Sequence, residues 1–122
     1  TNSTTLARCS FSNYSVTLVD IAAPGCANPG IHSTLPSGLY GPMSGTSMAT
    51  PIVSGAASLV WSYLKKARGT APPAAEIEQV LQEGRTISSL QGFFREGEVL
   101  DLQKMGLKTQ QFLAKPYSDL CP

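Results

Sequence analysis

The spacing of apolar residues changes along the chain, and each change marks an element. Residues 1–16 are polar, dominated by Thr, Asn and Ser, and read as a short strand or loop edge. Val16-Thr17-Leu18-Val19-Asp20-Ile21-Ala22 is β-branched and largely apolar, and stops at Ala23-Pro24-Gly25. A short apolar run ended by Pro-Gly predicts a buried strand followed by a turn. Residues 25–30 form a loop, Ile31–Pro36 alternates weakly as a short strand, and residues 37–42 form a turn-rich connection.

From Thr46 the period becomes helical. Met48, Ile52, Val53, Ala56, Ala57, Leu59, Val60, Trp61 and Leu64 recur at spacings of three and four. Apolar or small residues also fill much of the remaining circumference, which predicts a helix enclosed by protein on all sides. Gly55, Ala56 and Ala57 leave room for a neighbouring sheet to approach. Pro51 is tolerated only near a helix start, which puts the N-terminus near Thr46–Ser47. Lys65, Lys66 and Arg68 suit the negative end of the helix dipole, and Gly69 ends the helix.

After a connector at 70–73, Ala74–Gln82 predicts a short amphipathic helix with acids in its first turns. A loop containing Phe93-Phe94 follows. Val99–Phe112 predicts a last helix interrupted by Gly106, and the tail 114–122 reads as irregular. No internal repeat or low-complexity segment is evident. Val16–Ala22 and the 47–64 helix both expect neighbours on either side, so the chain alone is expected to keep an exposed apolar face.

Composition narrows the class. With 122 residues, 42% apolar and 14% charged, the chain is one small globular domain in size. A net charge of +1 with scattered Lys and Arg excludes nucleic acid and anionic membrane surfaces as expected partners. No apolar run approaches the roughly 18 residues of a membrane span. The chain begins with Thr1 and shows no signal-peptide pattern, so it is expected to be processed or part of something longer. Its three cysteines, Cys9, Cys26 and Cys121, fit neither a complete disulfide framework nor a zinc site. One pair plus a free thiol, a bridge to a partner chain, and three unpaired cysteines stay open. Asn2-Ser3-Thr4 and Asn13-Tyr14-Ser15 match the N-glycosylation acceptor pattern, which points weakly to a secretory route.

The candidate chemistry lies in Gly45-Thr46-Ser47-Met48-Ala49-Thr50-Pro51, at the mouth of the long helix. A serine hydroxyl is a poor nucleophile without an adjacent base and a stabilised oxyanion. A helix N-terminus offers unpaired N–H groups and partial positive charge, so Ser47 has one oxyanion donor built in, its own N–H. Gly45 allows close approach of substrate and backbone. The local alternative is that Ser47 or Thr46 is only a helix N-cap.

The heptapeptide resembles the nucleophile motif of the subtilisin-like serine peptidases, or subtilases. Ser10-Phe11-Ser12-Asn13, Ala22-Ala23-Pro24-Gly25, Ile31–Pro36 and Tyr40-Gly41 precede it as in that family, and Val53-Ser54-Gly55-Ala56-Ala57-Ser58-Leu59 follows it. Gly97–Leu102 resembles the stretch leading into the family's last helix, so the likeness covers roughly residues 7–112. The resemblance implies an α/β, three-layer subtilisin-like fold with a mostly parallel sheet, residues 1–122 being the C-terminal portion of its catalytic domain. It implies Ser47 as acyl-enzyme nucleophile and Met43, Ser44 and Gly45 as substrate-binding residues near the scissile bond. Oxidation of the adjacent Met48 would then harm activity. In the family order Asp, His, Ser, the acid, the base and the oxyanion Asn all lie upstream. An upstream fragment of the same domain is therefore an expected partner, with a polypeptide as substrate and an extracytoplasmic location. No cofactor is expected in this chain, and any structural calcium belongs upstream, because no acidic cluster here would bind it.

His32 is the only histidine. Its Ile-His-Ser-Thr-Leu-Pro setting matches a non-catalytic strand of the family, and the family's His-Gly-Thr setting is absent. Asp20 matches no triad aspartate motif and reads as structural. Ile52, after the motif's proline, and the Gly25–Gly30 loop depart from many members. The competing reading is a truncated or degenerate module that binds or supports structure without catalysis.

Overall fold

The computed structural model describes residues 7–26 and 29–114. Three helices carry the larger core. Helix α1 spans Thr46–Arg68, α2 Ala74–Leu81 and α3 Leu102–Ala114. Ala56, Val60 and Leu64 of α1 lie one above the other at i, i+4 and i+8, and pack with Val80 of α2 and with Met105 and Phe112 of α3. Gly69 ends α1 in the left-handed conformation (φ 76°) and donates its N–H to Lys65 C=O at 2.9 Å. This is the glycine stop the sequence predicts.

Only this stripe of α1 is buried. Leu59 is 66% exposed and Tyr63 51%, so these residues by themselves do not enclose the helix on all sides. Among the described residues, α2 and α3 pack along one side of α1, and two helices cannot cover its whole circumference. The expected exposed apolar face is thus present.

Helix α3 runs through Gly106 without a break, and it starts later than the apolar spacing suggests. Asp101 sets the start: its Oδ1 accepts the N–H groups of Gln103 (3.0 Å) and Lys104 (3.1 Å). That is a side-chain N-cap, and it detaches Glu98–Val99 from the helix.

The sheets are small. Strands β1 (Ile31–Leu35) and β2 (Leu39–Met43) form an antiparallel hairpin with Ile31 opposite Met43 and Leu35 opposite Leu39. Ser37 (φ 64°) and Gly38 (φ 74°) reverse the chain between them. The prediction of β1 holds, whereas β2 was expected as a turn-rich connection. Its Pro42 donates nothing to a ladder, but a two-stranded hairpin has an outer edge where that costs no bond. Strands β3 (Arg85–Thr86) and β4 (Glu98–Val99) form a second antiparallel pair.

The expected mostly parallel sheet is therefore not what the described residues build. Parallel pairing survives as isolated bridges, one of them between Ala22 and Val99. There Ala22 N–H donates to Glu98 C=O (3.0 Å) and Ala22 C=O accepts from Leu100 N–H (2.8 Å). The expected buried strand over 16–22 is also corrected. Ser15 Oγ accepts the N–H groups of Thr17 (3.2 Å) and Leu18 (3.1 Å), turning the chain and leaving Leu18 83% exposed. A serine side chain that satisfies nearby N–H groups competes with a ladder, and here no adjacent strand outbids it. A second core of Ala22, Leu90, Phe94 and Val99 holds the end of this segment against β4.

A disulfide joins Cys9 to Cys26, with Cα atoms 6.5 Å apart. One pair is thus formed, and Cys121 lies outside the described residues. A link across a sequence separation of 17 stabilises by about 3 kcal/mol through the unfolded chain's lost freedom.

Glu98, on β4, has its pKa raised from the ordinary glutamate value. Partial burial is the main cause, Glu96 and Glu83 add repulsion, and Lys104 and a backbone bond at Gly84 oppose them. The folded state therefore binds this proton more tightly than the unfolded one. Its contribution is full below the ordinary glutamate range and is lost as pH rises through the raised value. Glu98→Gln is expected to flatten that part of the stability–pH profile. Denaturant midpoints taken across the acid range would show it, and an unchanged slope would refute the assignment.

Candidate active site

The motif is delivered by the hairpin and received by α1. After β2, Ser44 and Gly45 lead into the helix, and Gly45 is its N-cap, with no side-chain capping bond. Thr46 and Ser47 are the first two helical residues, and both are exposed. The simple N-cap alternative is thereby corrected, since neither hydroxyl caps the helix. Met48 N–H bonds to Gly45 C=O at 3.1 Å, while the N–H groups of Thr46 and Ser47 precede any intrahelical acceptor. The Ser47 hydroxyl thus stands in solvent at the positive end of a 23-residue helix, beside an unpaired N–H.

Pro51 shapes the same turn from behind. It lies inside α1, and its missing N–H removes the bond that Ser47 C=O would otherwise accept. Thr50 supports the neighbouring carbonyl, its Oγ1 donating to Thr46 C=O at 3.1 Å. The first turn is therefore held at Thr46 and free at Ser47.

A residue whose role the sequence reading missed fixes the entry to the helix. Gly45 N–H donates to Gly25 C=O at 2.7 Å. A Cβ on Gly25 would come within 2.8 Å of Gly45 O and 3.1 Å of Ala49 Cβ. Gly25 reads as a turn residue and as the end of the Ala22–Gly25 stretch that resembles the family, and that resemblance was the available signal. Gly25→Ala is expected to push the Gly45 carbonyl aside and to cost about 1–3 kcal/mol, the range for overpacking. Faster amide exchange over 45–49 would confirm the loss, and unchanged exchange and melting would count against it.

Beside the turn lies a cavity of about 490 Å³, walled by Gly25, Gly45, Thr46 and Ala49 on one side and by Phe11 and Phe94 on another. Ser47 is not among its lining residues, although Gly45 and Thr46 on either side of the helix start are. Met43, 47% exposed, closes β2 opposite Ile31, and Ser44 is exposed beside the motif. Met43, Ser44, Gly45 and Ser47 are thus contiguous around the helix start. A Cβ on Gly45 would lie 3.3 Å from Met48 Sδ, so Met48 underlies the glycine.

The other candidates stand elsewhere. His32 is exposed on β1 opposite Pro42, and no hydrogen bond joins it to Ser47 among the described residues. Asp20 pairs with Arg95 at 2.9 Å, which agrees with its structural reading. No group of three or more potential metal ligands occurs among the described residues, and no helix there is long and apolar enough to cross a membrane.

The model of the subtilase family matches residues 1–93. The chain belongs to the subtilase family. It is similar to subtilisin NAT of Bacillus subtilis subsp. natto, with 54% identity over 55 residues, covering 45% of this chain and 13% of that protein. Subtilisin of Bacillus pumilus gives 54% over 55 residues, 45% of this chain and 18% of the relative. Thermitase of Thermoactinomyces vulgaris gives 50% over 58 residues, 48% and 19%. The chain thus aligns with less than a fifth of the length of these curated relatives. As a subtilase it falls within a family of serine peptidases and of α/β fold.

Proposed function

We propose that this subtilase chain supplies the nucleophile of a serine endopeptidase. Ser47 attacks the scissile carbonyl and forms an acyl-enzyme, and its N–H donates to the oxyanion. Met43, Ser44 and Gly45 line the cleft beside the bond. The observation that carries this reading is the exposed Ser47 hydroxyl at the start of α1, relieved of any capping role by Gly45. A general base, an acid that orients it and an Asn as second oxyanion donor come from a preceding segment of the same catalytic domain. The uncovered Leu59 and Tyr63 face of α1 supports such a neighbour. The substrate is a polypeptide and the location extracytoplasmic, for which the Cys9–Cys26 disulfide gives independent support. No cofactor is assigned to these residues. Structural calcium, if the enzyme uses it, is held by the preceding segment.

Treating the whole peptidase with a fluorophosphonate tests the assignment. The expected result is a covalent adduct on Ser47, found by peptide mass analysis and lost in Ser47→Ala. Labelling of another residue, or none in a folded and complete protein, would favour a non-catalytic subtilase module instead.

A further inference from the structure

We propose that Asn13 is an N-glycan acceptor. The Asn13-Tyr14-Ser15 sequence satisfies the acceptor pattern, with no proline in its middle position. The fold then presents it as an acceptor must be presented. Asn13 is exposed, and its side-chain amide makes no hydrogen bond among the described residues.

The loop around it is held by others. Arg8 Nη1 donates to the carbonyls of Cys9 (3.1 Å) and Ser12 (2.6 Å), and Ser12 N–H closes a turn onto Cys9 C=O at 2.9 Å. Tyr14 is engaged edge-on with Phe93, ring centroids 5.5 Å apart, and the Arg8 guanidinium lies 4.8 Å from the Tyr14 ring centroid. The Asn13 carbonyl accepts from Ser12 Oγ at 3.0 Å, while its side-chain amide is engaged by none of these contacts.

Phe11, two residues before Asn13, is 54% exposed, and both residues line the same hollow. An N-acetylhexosamine has an apolar face of axial C–H groups, and an exposed aromatic ring beside the linkage gives that face a surface to lie on. The Cys9–Cys26 disulfide, close to the loop, fits an oxidising environment, and the compartment in which such transfer takes place is one of these.

The donor is a lipid-linked oligosaccharyl pyrophosphate. The Asn13 amide nitrogen attacks the anomeric carbon, so the C–O bond to the pyrophosphate breaks as the N–C bond forms. The lipid pyrophosphate leaves with the electron pair, and the amide proton passes to a base of the transferase. Nothing in the step is oxidised or reduced.

The inference rests on the secretory location proposed above and is independent of Ser47. The test is the full-length protein secreted by eukaryotic cells in an Asn2→Gln background, which removes the other acceptor sequence of these 122 residues. Enzymatic removal of N-glycans in heavy-oxygen water is expected to leave a labelled aspartate at position 13. Asn13→Gln and Ser15→Ala are expected to lose both the label and the slower gel mobility. Ser15→Thr keeps both, and Phe11→Ala lowers occupancy. Unmodified Asn13 in secreted protein whose Cys9–Cys26 disulfide has formed overturns the acceptor. Failure of the protein to enter the secretory pathway overturns the location, and the proposal with it. Labelling of Ser47 by a fluorophosphonate is unaffected by either result.

Discussion

The 122-residue chain, taken alone, is expected to leave a peptide substrate essentially uncleaved. Ser47 has the helix dipole and its own N–H, but among the described residues nothing takes its proton. His32 sits on the hairpin opposite Pro42, and Asp20 is committed to Arg95. A nucleophile without its base loses nearly the whole contribution of the set, because the members act as a unit. The expected deficit relative to the complete peptidase proposed above is on the order of 10⁴–10⁶ in rate, a magnitude carried over from subtilisin itself. Within the complete peptidase, Ser47→Ala should fall to the same floor. Hydrolysis of a fluorogenic peptide by the two preparations measures both. Brisk turnover by the chain alone, blocked by a fluorophosphonate on Ser47, would show that its base lies within these residues.

Arg68→Ala is expected to be the most damaging substitution outside the motif. Arg68 closes α1, and its Nη1 lies 2.6 Å from Glu76 Oε2 in α2, while its Nη2 donates to Phe112 C=O in α3 at 2.9 Å. The side chains are 12% and 7% exposed, so the guanidinium ties the ends of all three helices together away from water. Removing it leaves the buried Glu76 carboxylate without its cation, and its Oε1 already has no hydrogen-bond partner among the described residues. Breaking such a buried pair costs about 3–5 kcal/mol, a large share of the stability of any small domain. Chemical denaturation of Arg68→Ala against the unchanged chain reads the effect. The paired change Arg68→Met with Glu76→Leu removes both charges and is expected to lose much less. Equal losses in the single and paired variants would mean that packing by the long side chain, and not the stranded charge, sets the cost.

Arg68 and Glu76 also show where reading the sequence stops. Each is legible as a charge suited to its helix end, a cation at the C-terminus and an acid at the N-terminus. That they meet depends on the turn between α1 and α2 and on the position of Phe112, which no local pattern encodes. Asp101 is closer to legible: an acid before an apolar-periodic run is an N-cap signal, but the apolar spacing from Val99 onward points to an earlier start. Ser15 is similar, a serine whose turn-forming capacity competes with a β-branched run.

The site divides the same way. Pro51 and Gly69 bracket α1 correctly because both act through the backbone of their own turn. Ser47 was placed at the helix mouth for that reason. Whether it capped the helix depended on which residue took the N-cap geometry, and the hairpin delivers Gly45 there. Gly25 became part of the site only when the chain folded back to bring its carbonyl to Gly45 N–H.

By itself the sequence determined the family, the three helices and the position of Ser47 on the longest of them, since motif spacing and apolar period are local properties of the chain. The tertiary structure alone decided that α1 buries one stripe and exposes Leu59 and Tyr63, that Cys9 pairs with Cys26, and that parallel pairing shrinks to bridges such as Ala22–Val99. Burial, cross-links and strand pairing depend on which segments become neighbours, and a strand or an all-apolar helix takes its predicted environment only where a neighbour is present to supply it.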